Sequence, residues 1–285
     1  MPTYSGVWTL PAQMQAVGQS LWPLAGDIGL FAGGSNGSVY VNTIQYITIS
    51  STGNSTLFGY LVGGYNWAIS SCASTTLGLF GGGYSSGGAD TNAINYVTIA
   101  SRSNTSSFGN LTQNTWAFAA CNSSTRGLFG GGYGNATSTV NVISYVTLAS
   151  PGNAASFGQL TVARQWLASL SSSTRGVWGG GEPSNVNVID YVTIASAGNA
   201  TDFGDLTLGV SYITGCASST RGIFAGGIQA SLATTSVISY ITIASTGNAT
   251  SFGNMSTTKL GVAACSNSTR GVLAGGSGAS FYNVM

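Results

Sequence analysis

The chain has 285 residues, of which only 5% are charged, with a formal net charge of +1 and no histidine. A chain with so few charges lacks the clustered positive charge that binding to a nucleic acid or an anionic membrane surface requires. No apolar run approaches the roughly 18 residues of a membrane-spanning helix. The lack of histidine excludes Ser-His-Asp and Cys-His catalytic groups and imidazole metal sites. We therefore expect no enzyme, no cofactor, no metal, no nucleic-acid partner and no membrane insertion.

The N-terminal stretch lacks the features of a secretory signal peptide. It contains no basic n-region, and Pro11 interrupts its apolar residues. We therefore expect no signal peptide. Residues 7–10 and 11–20 instead line up with the third and fourth strands of a unit that repeats along the chain.

Six copies of a short apolar segment that ends in two glycines mark this repeat. They begin at Gly29, Gly78, Gly127, Gly176, Gly222 and Gly271, with spacings of 49, 49, 49, 46 and 49 residues. Each copy is apolar without alternation, as in a strand buried on both faces, and its glycines allow neighbouring backbones to approach closely. A period near 50 residues with a di-glycine strand is typical of a β-propeller blade.

The unit that begins at Gly127 illustrates the order of segments within one repeat. After the di-glycine strand, residues 142–149 alternate in polarity and are rich in β-branched side chains, which predicts a second strand. A Gly-Asn turn, a Phe-Gly strand and a further strand that ends in Ser-Thr-Arg complete the unit. Four strands in 49 residues predict one blade.

The two ends of the chain complete each other. Six di-glycine strands are present, but only five complete second and third strands come after them. Residues 1–28 and 271–285 together supply the missing strands, so that a blade built from both termini closes the ring and removes exposed edges. The sequence therefore predicts an all-β fold with a single domain over residues 1–285, a six-bladed β-propeller with four-stranded blades. An open solenoid is the alternative.

The four cysteines share one repeat position. Cys72, Cys121, Cys216 and Cys265 each lie six residues before a di-glycine strand, and Leu170 takes that position in the fourth unit. An exchange between cysteine and leucine indicates small buried hydrophobic side chains, and so free thiols. The spacing matches no CxxC metal site, and equivalent positions in neighbouring blades are usually too far apart for a disulfide.

A hydrophobic strand ending in Gly-Gly, then a tyrosine, then an aromatic residue resembles the kelch repeat. The tyrosines are Tyr46, Tyr96, Tyr145, Tyr191 and Tyr240, and the aromatic residues are Phe58, Phe108, Phe157, Phe203 and Phe252. The basic residue of the kelch pattern is present at Arg164 and Lys259 and absent from the other units. Runs such as STRGVWGGG and NVISYVTLAS also resemble the kelch-like repeats of tailed-phage proteins, especially those of marine and cyanobacterial phages. The resemblance spans essentially the whole chain and implies a kelch-like propeller.

That resemblance implies a non-enzymatic structural component of the virion, such as a fibre, a knob or a surface decoration. The implied location is the virion, after synthesis in the host cytoplasm. The implied partners are other virion proteins, a host-surface glycan or receptor, and further copies of this chain in the particle. A lectin-like glycan- or receptor-binding propeller and an intracellular kelch-type adaptor are the alternatives.

Two sets of side chains are candidate partner contacts. The first set, Arg126, Arg175, Arg221 and Arg270, precedes four of the di-glycine strands, and a closed propeller arranges it as a partial ring on one face. The alternative is that each arginine binds carbonyl groups of its own interblade turn.

The second set is aromatic. Tyr84 and Tyr133, with Trp67, Trp116 and Trp166, lie near loop–strand junctions, where they either stack on sugar rings or pack in the core. The loops beside them vary between units, and variable loops on a rigid scaffold are where recognition usually occurs.

Overall fold

The computed structural model describes residues 27–278 except residues 37, 86, 136 and 137. This part of the chain contains 26 β-strands and no helix, so the expected all-β class is confirmed. None of the described segments is a helix with the length and apolar character needed to cross a membrane.

The strands form six main sheets, in which every pairing is antiparallel. Sheet 1 contains β1 (Ile28–Ala32), β2 (Thr43–Thr48) and β3 (Thr56–Tyr60), and the short β4 (Tyr65–Trp67) comes after it. The next strands are β5 (Ser70–Ala73), β6 (Leu77–Gly81), β7 (Tyr84–Ser85), β8 (Ala93–Thr98) and β9 (Ser106–Asn110), of which β5, β6, β8 and β9 form sheet 2. The short β7 pairs with β4.

Sheets 3 to 5 repeat the four-stranded pattern of sheet 2, and sheet 6 has two strands among the described residues. After β10 (Thr115–Trp116) come β11 (Ala119–Asn122), β12 (Arg126–Gly130), β13 (Tyr133–Gly134), β14 (Ser138–Thr139), β15 (Val142–Thr147) and β16 (Ala155–Gln159). Sheet 3 is β11-β12-β15-β16, while β10, β13 and β14 pair separately. Sheet 4 contains β17 (Ala168–Ser171), β18 (Arg175–Gly179), β19 (Val188–Thr193) and β20 (Thr201–Asp205). Sheet 5 contains β21 (Thr214–Ala217), β22 (Arg221–Ala225), β23 (Val237–Thr242) and β24 (Thr250–Asn254), and sheet 6 contains β25 (Ala263–Ser266) and β26 (Gly271–Ala274).

Sheets 2 to 6 each begin one strand earlier than the sequence unit. The strand expected to end one blade, such as β17, pairs with the di-glycine strand after it, so it is the first strand of the next sheet. The reason is the Ser-Thr-Arg turn, which is tight enough to make a hairpin. In sheet 4 the Ser172 backbone N–H donates to the Arg175 carbonyl at 3.0 Å, and the Ser172 hydroxyl accepts from the Arg175 N–H at 3.1 Å.

In sheets 2 to 5 the di-glycine strand lies inside the sheet, and in sheets 2 to 4 it is buried on both faces. In β12 the four residues from Gly127 to Gly130 are all buried, as the lack of alternation predicted. The glycine pair after the strand has positive φ at both positions, for example +73° at Gly131 and +103° at Gly132. Two successive left-handed residues favour glycine strongly, which explains why this pair recurs in every unit.

The hydrophobic core lies between neighbouring sheets. One cluster joins Leu128 and Ile143 of sheet 3 to Trp178 and Val192 of sheet 4, and Trp178 is 0% exposed. The cysteine position contributes at the same boundary, because a side chain on Gly176 of β18 would lie 2.8 Å from the Sγ atom of Cys121. All four cysteines are free, as expected.

Neighbouring sheets contact one another in chain order. The first strands β5, β11, β17, β21 and β25 each contact the next, and β25 also contacts β1. At this last boundary Cys265 packs against Gly29, and Asn267 Nδ2 donates to Asp27 Oδ1 at 3.2 Å. The arrangement is propeller-like. The remaining expected strands of the closing blade fall within residues 1–26 and 279–285, which lie outside the described residues.

Candidate functional site

Seven aromatic side chains meet at the end of the sheets where the di-glycine strands finish. We call this group the aromatic patch: Tyr40, Trp67, Tyr84, Trp116, Tyr133, Trp166 and Tyr212. Every member is partly exposed, so the patch is a surface as well as a packed cluster. A continuous group of partly exposed aromatic rings is typical of recognition surfaces.

The rings contact one another without gaps. Trp166 and Tyr212 stack with centroids 4.2 Å apart, and Trp67 lies 5.6 Å from Trp116 and 5.3 Å from Trp166. Tyr84 is 5.4 Å from Trp116. These separations fall in the range where aromatic pairs attract each other, so the rings support one another as a platform.

A chain of backbone hydrogen bonds holds this platform. Successive sheets place one residue with a φ between +52° and +62° at the same repeat position: Ala68, Ala117, Trp166, Tyr212 and Gly261. From the second member onwards, each donates its N–H to the carbonyl of the equivalent residue one unit earlier, as Trp166 does to Ala117 at 2.7 Å and Tyr212 to Trp166 at 2.8 Å. The aromatic side chains therefore project from a backbone fixed by contacts between sheets.

A carboxylate stands beside the rings. Glu182 comes after its glycine pair at the position where the two preceding units have Tyr84 and Tyr133. Its two oxygens accept from Gln165 Nε2 and from Ser211 Oγ, each at 3.4 Å. Burial, and then the negative charge of Glu182, raise the pKa of the Tyr212 hydroxyl.

Unsatisfied polar atoms are concentrated around the patch. Six buried side-chain polar atoms have no hydrogen-bond partner in the described part of the chain, and five belong to the patch or to residues next to it: Asn66 Oδ1, Asp90 Oδ2, Gln113 Nε2, Trp116 Nε1 and Gln165 Oε1. Asp90 belongs with them through its bridge to Tyr84, and Gln165 through its bridge to Glu182. Such atoms are normally paired, so this concentration calls for an explanation.

The structure separates the two sets of predicted contact residues. Tyr84 and Tyr133 come after the di-glycine strands and belong to the aromatic patch. The arginines lie at the opposite end of the sheets, because each is the first residue of a di-glycine strand or, for Arg270, directly precedes one. Arg126 lies over the Tyr145 ring at 4.7 Å and donates to the carbonyls of Ile194 and Ala195 in sheet 4, at 3.0 and 2.9 Å. It therefore ties its sheet to the next one.

The remaining arginines of this set show only some of the contacts that Arg126 makes. Arg175 lies over Tyr191 at 4.6 Å and donates to the Ile243 carbonyl at 2.9 Å, and Arg221 lies over Tyr240 at 4.7 Å. Arg270 is exposed at the same repeat position. The carbonyls bound by the first two arginines belong to the following sheet rather than to their own turn.

A polar depression of about 320 Å³ opens at the arginine end of the sheets. Serine and asparagine residues of the Ser-Thr turns line it, including Ser123, Ser172, Ser218 and Asn267. The Ser123 hydroxyl is held by its own turn, because it accepts from the N–H groups of Thr125 and Arg126, each at 3.2 Å. These hydroxyls therefore shape turns.

A buried ion pair lies inside sheet 4. Arg164 and Asp190 are both fully buried, with Nη2 and Oδ2 2.8 Å apart. The guanidinium also donates to the carbonyls of Gly180, Val188 and Trp178. Burial lowers the pKa of Arg164, while the charge of Asp190 opposes this effect. With no route to solvent, this pair is a structural element.

Sequence reasoning missed three parts of the site, namely Tyr40, Tyr212 and Glu182. Tyr212 was detectable, because it stands 46 residues after Trp166 in the one unit of that length. The residues in the described ranges form no group of His, Cys, Asp or Glu suited to a metal ion. The sequence matches no protein-family model and no curated protein.

Proposed function

We propose that this chain is a non-enzymatic interaction module and that the aromatic patch is its partner-contacting surface. The observation that carries this proposal is the convergence of seven aromatic rings from consecutive units onto one end of the sheets. Tyrosine and tryptophan are enriched where proteins bind partners, since they bury a large area at a small loss of conformational freedom. The rigid backbone beneath the patch suits that role.

The proposed scaffold is a closed, six-bladed kelch-like propeller. The contacts of Cys265 with Gly29 and of Asn267 with Asp27 support closure, because they join sheet 6 to sheet 1. Sheets 1 and 6 have three and two strands among the described residues, against four in the other main sheets. We assign the missing strands to residues 1–26 and 279–285, as the repeat pattern predicts.

The proposed setting is a phage particle, in which the module is a fibre, knob or surface-decoration component. Its support is the sequence resemblance to phage kelch-like repeats, together with a surface that carries few charges. The partners in that setting are other virion proteins and the host surface. An intracellular kelch-type adaptor is less favoured, because the chain has few charged residues and strongly similar repeats, whereas adaptor faces usually carry charged hot spots.

Immunogold labelling and mass spectrometry of purified particles test the setting. Labelling of the tail or its fibres supports a role in host contact, and labelling of the capsid supports a decoration role. Absence of the protein from the particles overturns the virion proposal.

A patch variant tests the binding surface. Trp67→Ser combined with Trp116→Gln introduces residues that this chain already has at the equivalent positions Ser211 and Gln165, so the fold is expected to persist. The variant is expected to lose attachment to particles or host cells. Tyr60→Asn, at an exposed position where other units have asparagine, is the control and is expected to attach normally. Equal attachment by the patch variant and the control excludes the patch as the contact surface.

A further inference from the structure

We propose that the aromatic patch binds a neutral carbohydrate, with a pyranose ring lying against the exposed part of the Trp166–Tyr212 stack and its hydroxyl groups bound by Glu182. The inference rests on the proposed binding role of the patch and names its ligand. It combines two observations: a partly exposed stack of rings, and a weakly engaged carboxylate beside the stack.

The ring arrangement favours a flat ligand over a cation. The face of an aromatic ring carries partial negative charge and attracts the C–H groups on one face of a sugar. A cation cage instead needs ring faces that stand apart around the ion, within about 6 Å of it. Here Trp166 and Tyr212 stack on each other at 4.2 Å, which leaves no room for an ion between them.

The polar groups match ligand hydroxyls. The two hydrogen bonds to the carboxylate of Glu182 are both 3.4 Å long, so its oxygens retain capacity to accept stronger ones. Hydrogen bonds from sugar hydroxyls to a carboxylate are charge-assisted and so stronger than those between neutral groups.

The charge of the site favours a neutral ligand. Glu182 and Asp90 are the ionisable groups that flank the rings with negative charge, whereas Arg126, Arg175 and Arg221 lie at the opposite end of the sheets. A sialylated, sulfated or phosphorylated sugar would therefore meet like charge without a compensating cation from these arginines.

The backbone beneath the rings is already ordered. Trp166 and Tyr212 are fixed by hydrogen bonds to neighbouring units, at 2.7 and 2.8 Å. Because the backbone of the site is ordered before the ligand arrives, binding costs less conformational entropy. This smaller cost allows a shallow surface to bind a sugar. One sugar unit on such a surface is expected to bind with a dissociation constant on the order of 1 mM, and an oligosaccharide more tightly.

The test uses the full chain on a printed panel of neutral, sialylated and sulfated oligosaccharides, with choline chloride as a cationic probe in solution. Saturation-transfer NMR then examines the best neutral oligosaccharide, whose ring C–H protons are expected to receive saturation from the aromatic side chains. Trp166→Ala is the principal variant, because Ala68 and Ala117 occupy the equivalent position with φ of 54° and 55°, so the backbone accepts alanine there.

Trp166→Ala and Glu182→Gln are each expected to weaken neutral-sugar binding by about tenfold or more, through loss of stacking and of the charged acceptor respectively. Tyr60→Asn is expected to bind as the unaltered chain does. No binding to any neutral glycan, preference for charged glycans, binding of choline instead, or sugar binding that survives both patch variants each overturns the inference.

The carbohydrate proposal and the proposed function can fail independently of each other. If the Trp67→Ser, Trp116→Gln variant loses host-cell attachment but the unaltered chain binds no glycan, the patch remains the contact surface and the carbohydrate proposal is overturned. If the protein binds a glycan but is absent from phage particles, the carbohydrate proposal stands and the virion proposal is overturned.

Discussion

Gly158 of sheet 3 lies directly against the carbonyl group of Gly198 in sheet 4. A side chain at Gly158 would overlap the Gly198 oxygen and lie 2.9 Å from the backbone nitrogen of Asn199. Asn199 completes the contact, because its Oδ1 accepts from the Gln159 N–H at 3.1 Å. The Phe-Gly and Gly-Asn motifs of the sequence are therefore the two halves of one contact between sheets.

The same contact yields the first prediction. Gly158→Ala is expected to reduce the free energy of unfolding by about 1–3 kcal/mol, since the rigid backbone opposite cannot move away from the added methyl group. Gly198→Ala is the matched control, because an added Cβ there meets nothing within 4 Å. Urea unfolding of both variants provides the measurement. Similar losses for the two variants would contradict the proposed contact.

The periodicity of the sequence is enough to predict the strands, their buried faces and the all-β class. The boundaries of each sheet are harder to predict. The repeat period gives the spacing of equivalent strands, but it does not say which strand of the repeat is the first in a sheet. The aromatic patch is predictable in part, through Tyr84, Tyr133 and the tryptophans. The repeat already shows Glu182 at a tyrosine position, but its hydrogen bonds to Gln165 and Ser211 required the structure. The asparagine of the Gly-Asn turn suits the turn by itself, and its bond to the preceding sheet required the structure.

The arginine ties predict a graded effect on stability. Arg126 makes two carbonyl bonds to the next sheet, Arg175 makes one, and Arg221 makes none within the described residues, while all three lie over a tyrosine ring. Alanine substitution is expected to destabilise the fold in the order Arg126, Arg175, Arg221, by up to about 2 kcal/mol for the first. Thermal and urea unfolding provide the measurement. If all three variants are as stable as the unaltered chain, a role in partner contact is favoured instead.

The buried ion pair predicts a strong coupling between Arg164 and Asp190. Asp190→Ser alone leaves a buried guanidinium without its counter-charge and is expected to cost about 3–5 kcal/mol. Sheet 3 has Thr115 and Ser144 at the equivalent positions, and there Thr112 Oγ1 lies 2.6 Å from Ser144 Oγ. The double variant Arg164→Thr, Asp190→Ser copies that arrangement. It is expected to lose less stability than the sum of the single variants, and additivity in a double-mutant cycle would contradict the coupling.

The four free thiols, three of them buried and that of Cys265 partly buried, predict a loss of stability in alkaline solution. Burial raises the pKa of Cys72 to about 12 and that of Cys216 to about 11, and it also raises the pKa of Cys121 and, to about 12, of Cys265. A thiol in the unfolded chain ionises near pH 8.5, so above that pH the unfolded state has lost protons that the folded state still holds. The free energy of unfolding is therefore expected to fall as the pH rises from about 8.5 towards 11.

A variant with alanine at all four cysteine positions isolates this effect. Its stability at pH 7 is lower because the thiols no longer fill the sheet boundaries, but its slope between pH 8.5 and 11 is expected to be shallower than that of the unaltered chain. Tyr212, whose pKa is also raised, contributes to the remaining slope in the same direction. Urea midpoints across this range measure both slopes. Identical slopes would show that the thiols ionise as readily in the folded protein as in the unfolded one, contrary to their burial against the glycines of the next sheet.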